Sequence, residues 1–116
     1  MPARGDIALA RFPFADGTGT KLRPVLILAA IPGRRADYVA IFISSQLGQA
    51  EPGLDLVLDA GHPAFAASGL RRRSVFRVAK VASLSGSLLV GRLGALRPDL
   101  LDQVVNRLVR LLRSGS

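Results

Sequence analysis

Among its 116 residues the sequence has no cysteine and no tryptophan, and only one tyrosine and one histidine. Without cysteine there is no disulfide, no thiolate zinc site and no cysteine nucleophile. With His62 as the sole imidazole, a mechanism built on a histidine pair is excluded, and in the turn-rich stretch "DAGHPAF" a lone histidine reads as a solvated turn residue. Acidic residues are few and scattered: Asp6, Asp16, Asp37, Glu51, Asp55, Asp59, Asp99 and Asp102. None shows metal-ligand or paired acid/base spacing, and a two-metal nuclease centre needs several carboxylates converging on one point. No metal and no cofactor are therefore expected. No apolar run reaches the roughly 18 residues that span a bilayer. The N-terminus "MPARGDIALARFPF" carries charges and a proline where a signal peptide keeps an apolar core. A soluble cytoplasmic protein with no membrane attachment is the expectation.

What is present in excess is positive charge. Sixteen Lys and Arg against eight Asp and Glu give a net charge of +8, and fourteen of the sixteen are arginine. An anionic partner follows, and arginine's planar fork of donors suits phosphate. The length fits a single domain over residues 1–116, able to bury about two thirds of the surface of its unfolded chain. A hydrophobic content of 49% beside a charge of +8 predicts that a second subunit covers part of the apolar surface.

Short apolar runs at 5–12, 23–31, 37–44, 54–58, 73–81 and 88–93, separated by Gly, Pro, Asp and Ser, predict the strands of a small sandwich or barrel. The fifth run has apolar residues on both faces and is expected near the middle of a curved sheet. The final stretch "RPDLLDQVVNRLVRLLRSGS" has apolar residues at 101, 104, 105, 108, 111 and 112, the spacing of an amphipathic helix. Pro98 suits its first turn, Asp99 and Asp102 its positive end, and Arg107, Arg110 and Arg113 its negative end. The fold class is thus mainly β with a C-terminal helix.

Three stretches can carry chemistry. "ADGTGTKL" lacks the Gly-Lys-Ser/Thr that opens the helix of a P-loop, and reads as a hairpin loop in which Thr18, Thr20 and Lys21 offer donors. It leads into "KLRPVLIL", where Arg23 and Pro24 precede a buried strand, and "IFISSQ" ends the next strand with Ser44, Ser45 and Gln46. The third, "GLRRRSVFR", gathers Arg71, Arg72, Arg73 and Arg77, either as a solvated charged turn or as a phosphate-tracking surface for single-stranded nucleic acid. Arg23 could equally be a surface arginine at a strand start, and the serines strand-end hydroxyls tied to a turn. Phe12, Phe42 and Phe76 lie in strands and are assigned to the core, which leaves Phe14 and Tyr38 as aromatics near loops.

In order and spacing, "GDIALARFPFADGTGTKLRPVLIL", "ISSQ" and "GLRRRSV" resemble the MazF/PemK family of toxin–antitoxin endoribonucleases over nearly the whole chain. The resemblance implies a homodimer of SH3-like (CcdB/MazF-like) barrels closed by a C-terminal amphipathic helix. It implies metal-independent cleavage of single-stranded RNA by 2′-OH attack, leaving a 2′,3′-cyclic phosphate and a 5′-OH, and silencing by a cognate acidic antitoxin. The family's catalytic arginine falls on Arg23 and its catalytic hydroxyl, commonly threonine, on Ser44. Gln46 matches the glutamine beside that site. Lys21, Phe14, Thr18, Thr20, Ser45, Arg72 and Arg73 complete the expected substrate-binding set. A later Arg-Thr pair of the family is replaced here by Ala82 and Ser83. The alternative is a non-catalytic barrel that binds nucleic acid or a protein target such as gyrase, as in the CcdB group, whose activity depends on a C-terminal tryptophan; this chain ends in "RSGS".

Overall fold

The computed structural model describes residues 2–13, 17–33 and 35–115, and in it the alternating apolar runs become strands of one antiparallel sheet. These are β1 (Asp6–Pro13), β2 (Thr20–Ile31), β3 (Asp37–Ser44), β4 (Leu56–Leu58), β5 (Ser74–Ser85) and β6 (Leu89–Ala95), in the spatial order β4-β5-β3-β2-β1-β6. A four-residue helix, α1 (Phe65–Ser68), precedes β5, and the long helix α2 (Pro98–Ser114) ends the chain. The result is the mainly β architecture expected from the sequence. β5 is interior but off-centre, flanked by the short β4 and by β3.

Register shifts in three ladders bend the sheet. The largest is in β5: Ile41 faces Val81, but the next residue, Phe42, faces Arg77, which leaves Val78, Ala79 and Lys80 without a partner on β3. Among the described residues no ladder joins β4 to β6, so the curl of the barrel comes from these shifts rather than from a closing pair.

Because the central strands are apolar on both faces, the core has two layers. On one side Leu26 and Leu28 of β2, Ile41 and Ile43 of β3 and Phe76 of β5 pack beneath α2; on the other Val25, Ile27, Tyr38, Ala40 and Leu84 form a second cluster with small alanines of β1. Tyr38 is thus a core residue, 2% exposed, and not a loop aromatic.

α2 starts on Pro98 at its first position, where the missing N–H costs no helical bond. Arg97 donates two hydrogen bonds to Asp99, at 2.6 and 2.9 Å, and these hold the Asp99 carboxyl below its ordinary range. Leu100, Leu101 and Val104 are buried against the sheet, whereas Leu112 is 71% exposed. The apolar stripe therefore outruns the surface that covers it. Arg107, expected to serve the helix dipole, instead donates to the backbone carbonyl of Asp55 at 2.6 Å and ties α2 to the chain before β4. Among the described residues no helix is long and apolar enough to cross a membrane.

Candidate active site

A cleft of about 830 Å³ opens between the start of β2, the end of β3 and the segment leading into β5. Pro24 explains its position. It lies opposite Leu9 in the β1 ladder, while pairing with β3 begins only at Val25, beside the residue that has no N–H to donate. The two strands part at that point. Carrying the register of Val25 opposite Phe42 two residues further along each strand sets Arg23 across from Ser44, and both line the cleft.

At the end of β3 the backbone turns on Ser44, whose Oγ accepts a hydrogen bond from the N–H of Gln46 at 3.0 Å. This is the strand-end tie foreseen as the plain role of that hydroxyl. It uses an acceptor lone pair, and the O–H remains able to donate. A short 3-10 turn follows at Leu47–Gln49, and its three-residue spacing sets Gln49 beside Gln46, with Gln49 Nε2 donating to Gln46 Oε1 at 3.1 Å.

The opposite wall is fixed by buried polar chemistry. The Asp55 carboxylate, 2% exposed, accepts from the N–H of Glu51 and of Val78, each at 3.0 Å, and pairs with Arg77 Nε at 3.2 Å. Arg77, 19% exposed, also donates from Nη1 to Gln49 Oε1 at 2.8 Å. A buried carboxylate saturated in this way anchors the guanidinium at the wall.

Above this wall runs the arginine segment. α1 ends on Gly69 at a φ of +72, and a Cβ there would lie 2.1 Å from the carbonyl oxygen of Leu93. Across the seam a Cβ on Gly94 would lie 2.2 Å from the carbonyl oxygen of Ala67. Two bare backbones therefore press α1 onto β6. Ser68 Oγ then accepts from the N–H of Leu70 and Ser74 Oγ donates to the carbonyl of Arg72, clamping both ends of the segment.

Of the expected site residues, Lys21, Arg23, Ser44, Ser45, Gln46 and Arg72 share the cleft. Arg73 does not line it and forms an ion pair with Asp59. Thr18 and Thr20 also lie outside its lining, Thr20 as the rung opposite Pro13 in the β1–β2 hairpin, and Phe14 falls outside the described residues. Phe12 and Phe42, assigned to the core from sequence, line the cleft as a tilted ring pair with centroids 5.1 Å apart. Ala82, which stands where the family has arginine, pairs with Ala40 and packs on the second core layer.

Sequence reasoning missed Gln49 and Lys80, and it noted Arg77 only as one of a basic cluster. The i, i+3 spacing of Gln46 and Gln49 was the available signal for the first; Lys80 is placed by the β5 excursion, which has no sequence mark. Among the described residues the lining contains no carboxylate, and Lys21, Arg23, Arg71, Arg72 and Lys80 have side chains without an ion pair or hydrogen bond. Such a concave, aromatic-floored, cationic surface suits a polyanion carrying bases.

A mainly β barrel with a cationic cleft at its strand ends and a closing helix is the class that fold and site define. The chain belongs to the family of PemK-like, MazF-like toxins of type II toxin–antitoxin systems, whose family model matches residues 3–112. Among solved structures it is similar to a MazE–MazF crystal structure from Deinococcus radiodurans, with a TM-score of 0.75, 23% identity and 96% of this chain matched to 95% of that one. The Mycobacterium tuberculosis toxin MazF-mt6 gives a TM-score of 0.69 at 19% identity, covering 93% and 96%. An endoribonuclease in complex with its cognate antitoxin from a mycobacterial species gives 0.68 at 16% identity, covering 97% and 95%. Against individually curated proteins the sequence finds no match.

Proposed function

We propose that this toxin is an endoribonuclease that cuts single-stranded RNA without a metal ion, and that Arg23 and Ser44 are its catalytic residues. The observation that carries the reading is their shared cleft, in which, among the described residues, unpaired cations face no carboxylate. RNA brings its own nucleophile, so the protein has only to align the 2′-OH with the adjacent phosphorus and meet the charge that develops on the phosphoryl oxygens. The 2′-oxygen forms a bond to phosphorus as the bond to the 5′-oxygen breaks. The proton lost at the 2′-oxygen is balanced by one gained at the 5′-oxygen through water. Products are a 2′,3′-cyclic phosphate and a 5′-OH end.

Arg23 stabilises the phosphoryl charge. A guanidinium holds its proton too tightly to act as a general base. Ser44 donates its O–H to a phosphoryl oxygen while Gln46 N–H holds its Oγ in place. Lys21, Arg71 and Arg72 track neighbouring phosphates, and Phe12 with Phe42 offers a stacking floor for a base. The partner that silences the activity is an acidic antitoxin segment with apolar anchors; solved relatives include complexes with MazE and with a cognate antitoxin. A homodimer covers exposed apolar side chains such as Val90 and Leu112.

The test is incubation of the purified protein with a long single-stranded RNA in EDTA. Cuts at defined positions ending in cyclic phosphate are the expected result. Binding without cutting points to a non-catalytic nucleic-acid module, and neither binding nor cutting points to a protein target. Deoxyribose at a mapped scissile position alone should abolish the cut there, because the nucleophile is gone; continued cleavage would mean attack by water.

A further inference from the structure

The side chains Asp55, Arg77, Gln49 and Gln46 form one continuous polar chain from the buried interior to the cleft. Its polarity is set at the buried end. Arg77 carries only donors, so Gln49 must turn its amide oxygen to Nη1 of Arg77. The NH₂ of Gln49 is then directed at Gln46, and Gln46 answers with its own amide oxygen. Each amide in the row is committed by the one before it. What remains at the open end is the NH₂ of Gln46, which among the described residues has no acceptor and lies on the same cleft as Arg23 and Ser44. The backbone of Gln46 is fixed as well, through the bond of its N–H to Ser44 Oγ.

We infer that Asp55, Arg77 and Gln49 are positioning residues that lock Gln46 as a hydrogen-bond donor, so that the cleft prefers a pyrimidine with a carbonyl at its 4-position, uracil, over one with an amino group there, cytosine. An amide free to rotate by half a turn would accept either base. Locked by the row behind it, Gln46 meets the amino group of cytosine donor to donor, which leaves both groups unsatisfied once the strand has expelled water. The inference rests on the nuclease reading only in taking single-stranded RNA as the occupant of the cleft.

Gln49→Glu tests the lock without touching the residue that reads the base. The carboxylate keeps an acceptor for Arg77 but turns a second acceptor to Gln46, whose amide must reverse and leave its carbonyl oxygen facing the cleft. Fluorescence anisotropy with 2′-O-methyl octauridylate and octacytidylate, which cannot be cut, reads the preference as a ratio of dissociation constants. The wild type should favour the uridine octamer by roughly five- to tenfold, the value of one hydrogen bond. Gln49→Glu should reverse the preference, while the added negative charge weakens both probes alike. Gln49→Ala should bring the ratio close to one, because the amide of Gln46 is then free to turn.

An unchanged ratio in Gln49→Glu, or no preference in the wild type, overturns the inference. Failure of the nuclease reading shows separately, as a protein that discriminates the octamers in the expected way yet leaves a long RNA intact.

Discussion

Arg23 is exposed at the start of β2 and, among the described residues, has no side-chain partner, so its removal should leave the fold almost untouched. Arg23→Ala is expected to lower kcat by about 10²- to 10³-fold, the cost of one charge-stabilising donor, with a shift in stability below about 0.5 kcal/mol. A near-normal rate would remove Arg23 from the mechanism. Asp55 behaves in the opposite way, being buried and carrying Arg77 and two backbone N–H groups. Asp55→Ala should cost about 3 kcal/mol in denaturant unfolding, because three donors lose their acceptor. These two residues also mark what could be read from sequence. That Arg23, Ser44 and Gln46 lie on one cleft was to be expected from the ordered motifs that resemble the family, whereas local chemistry alone left each of them equally readable as a strand-end residue. The Asp55–Arg77 pair was not legible, because it joins residues of separate segments, and the β5 excursion decides which side chain meets the carboxylate.

Among the elements, α2 was legible from its three-four spacing and Pro98, and the six strands from short apolar runs separated by Gly, Pro, Asp and Ser. The extent of α2's contact was not, since the sequence continues the apolar stripe to Leu112 without a sign that the sheet stops short of it. At its start, Asp99 is held below the usual carboxylate range by Arg97. A depressed folded pKa means that this contribution is present above the unfolded value and is lost as pH falls through the folded one. The seam between α1 and β6 left no legible sign either, because glycine in a turn-rich region looks the same whether or not another backbone lies against it. Gly94→Ala is expected to destabilise the protein by about 3 kcal/mol, since no flexible side chain can yield where a carbonyl oxygen stands 2.2 Å from the new methyl. Thermal unfolding measures this, and a variant as stable as the parent would mean that α1 can lift from β6 without penalty.

For the whole molecule, the net charge of +8 gains a location in the structure. Among the described residues five cations without partners, Lys21, Arg23, Arg71, Arg72 and Lys80, crowd one cleft, whereas Arg77 on its wall and Arg73, Arg92 and Arg97 outside it are held by carboxylates. The sum is legible in the composition, but only the fold separates bound from available charge. If all five meet phosphates of a single strand, the logarithm of the binding constant should fall with the logarithm of salt at a slope of about −3.5. Arg72→Ala should flatten that slope by about 0.7, while Arg73→Ala should leave it unchanged. Titration of a labelled single-stranded RNA between low and moderate salt distinguishes the two variants. A slope for Arg72→Ala equal to that of the parent would show that Arg72 does not touch the strand.

The second core layer also shapes how the molecule can be watched. Tyr38 sits at 2% exposure in that layer, and the chain has no tryptophan. At the near-ultraviolet wavelengths where tyrosine absorbs and phenylalanine does not, spectroscopy therefore has a single window, and it opens on the face of the sheet turned away from α2. The far-ultraviolet signal of α2 samples the other face. Followed together through a denaturant series, the two colours of light show whether both layers melt as one or the helix leaves first.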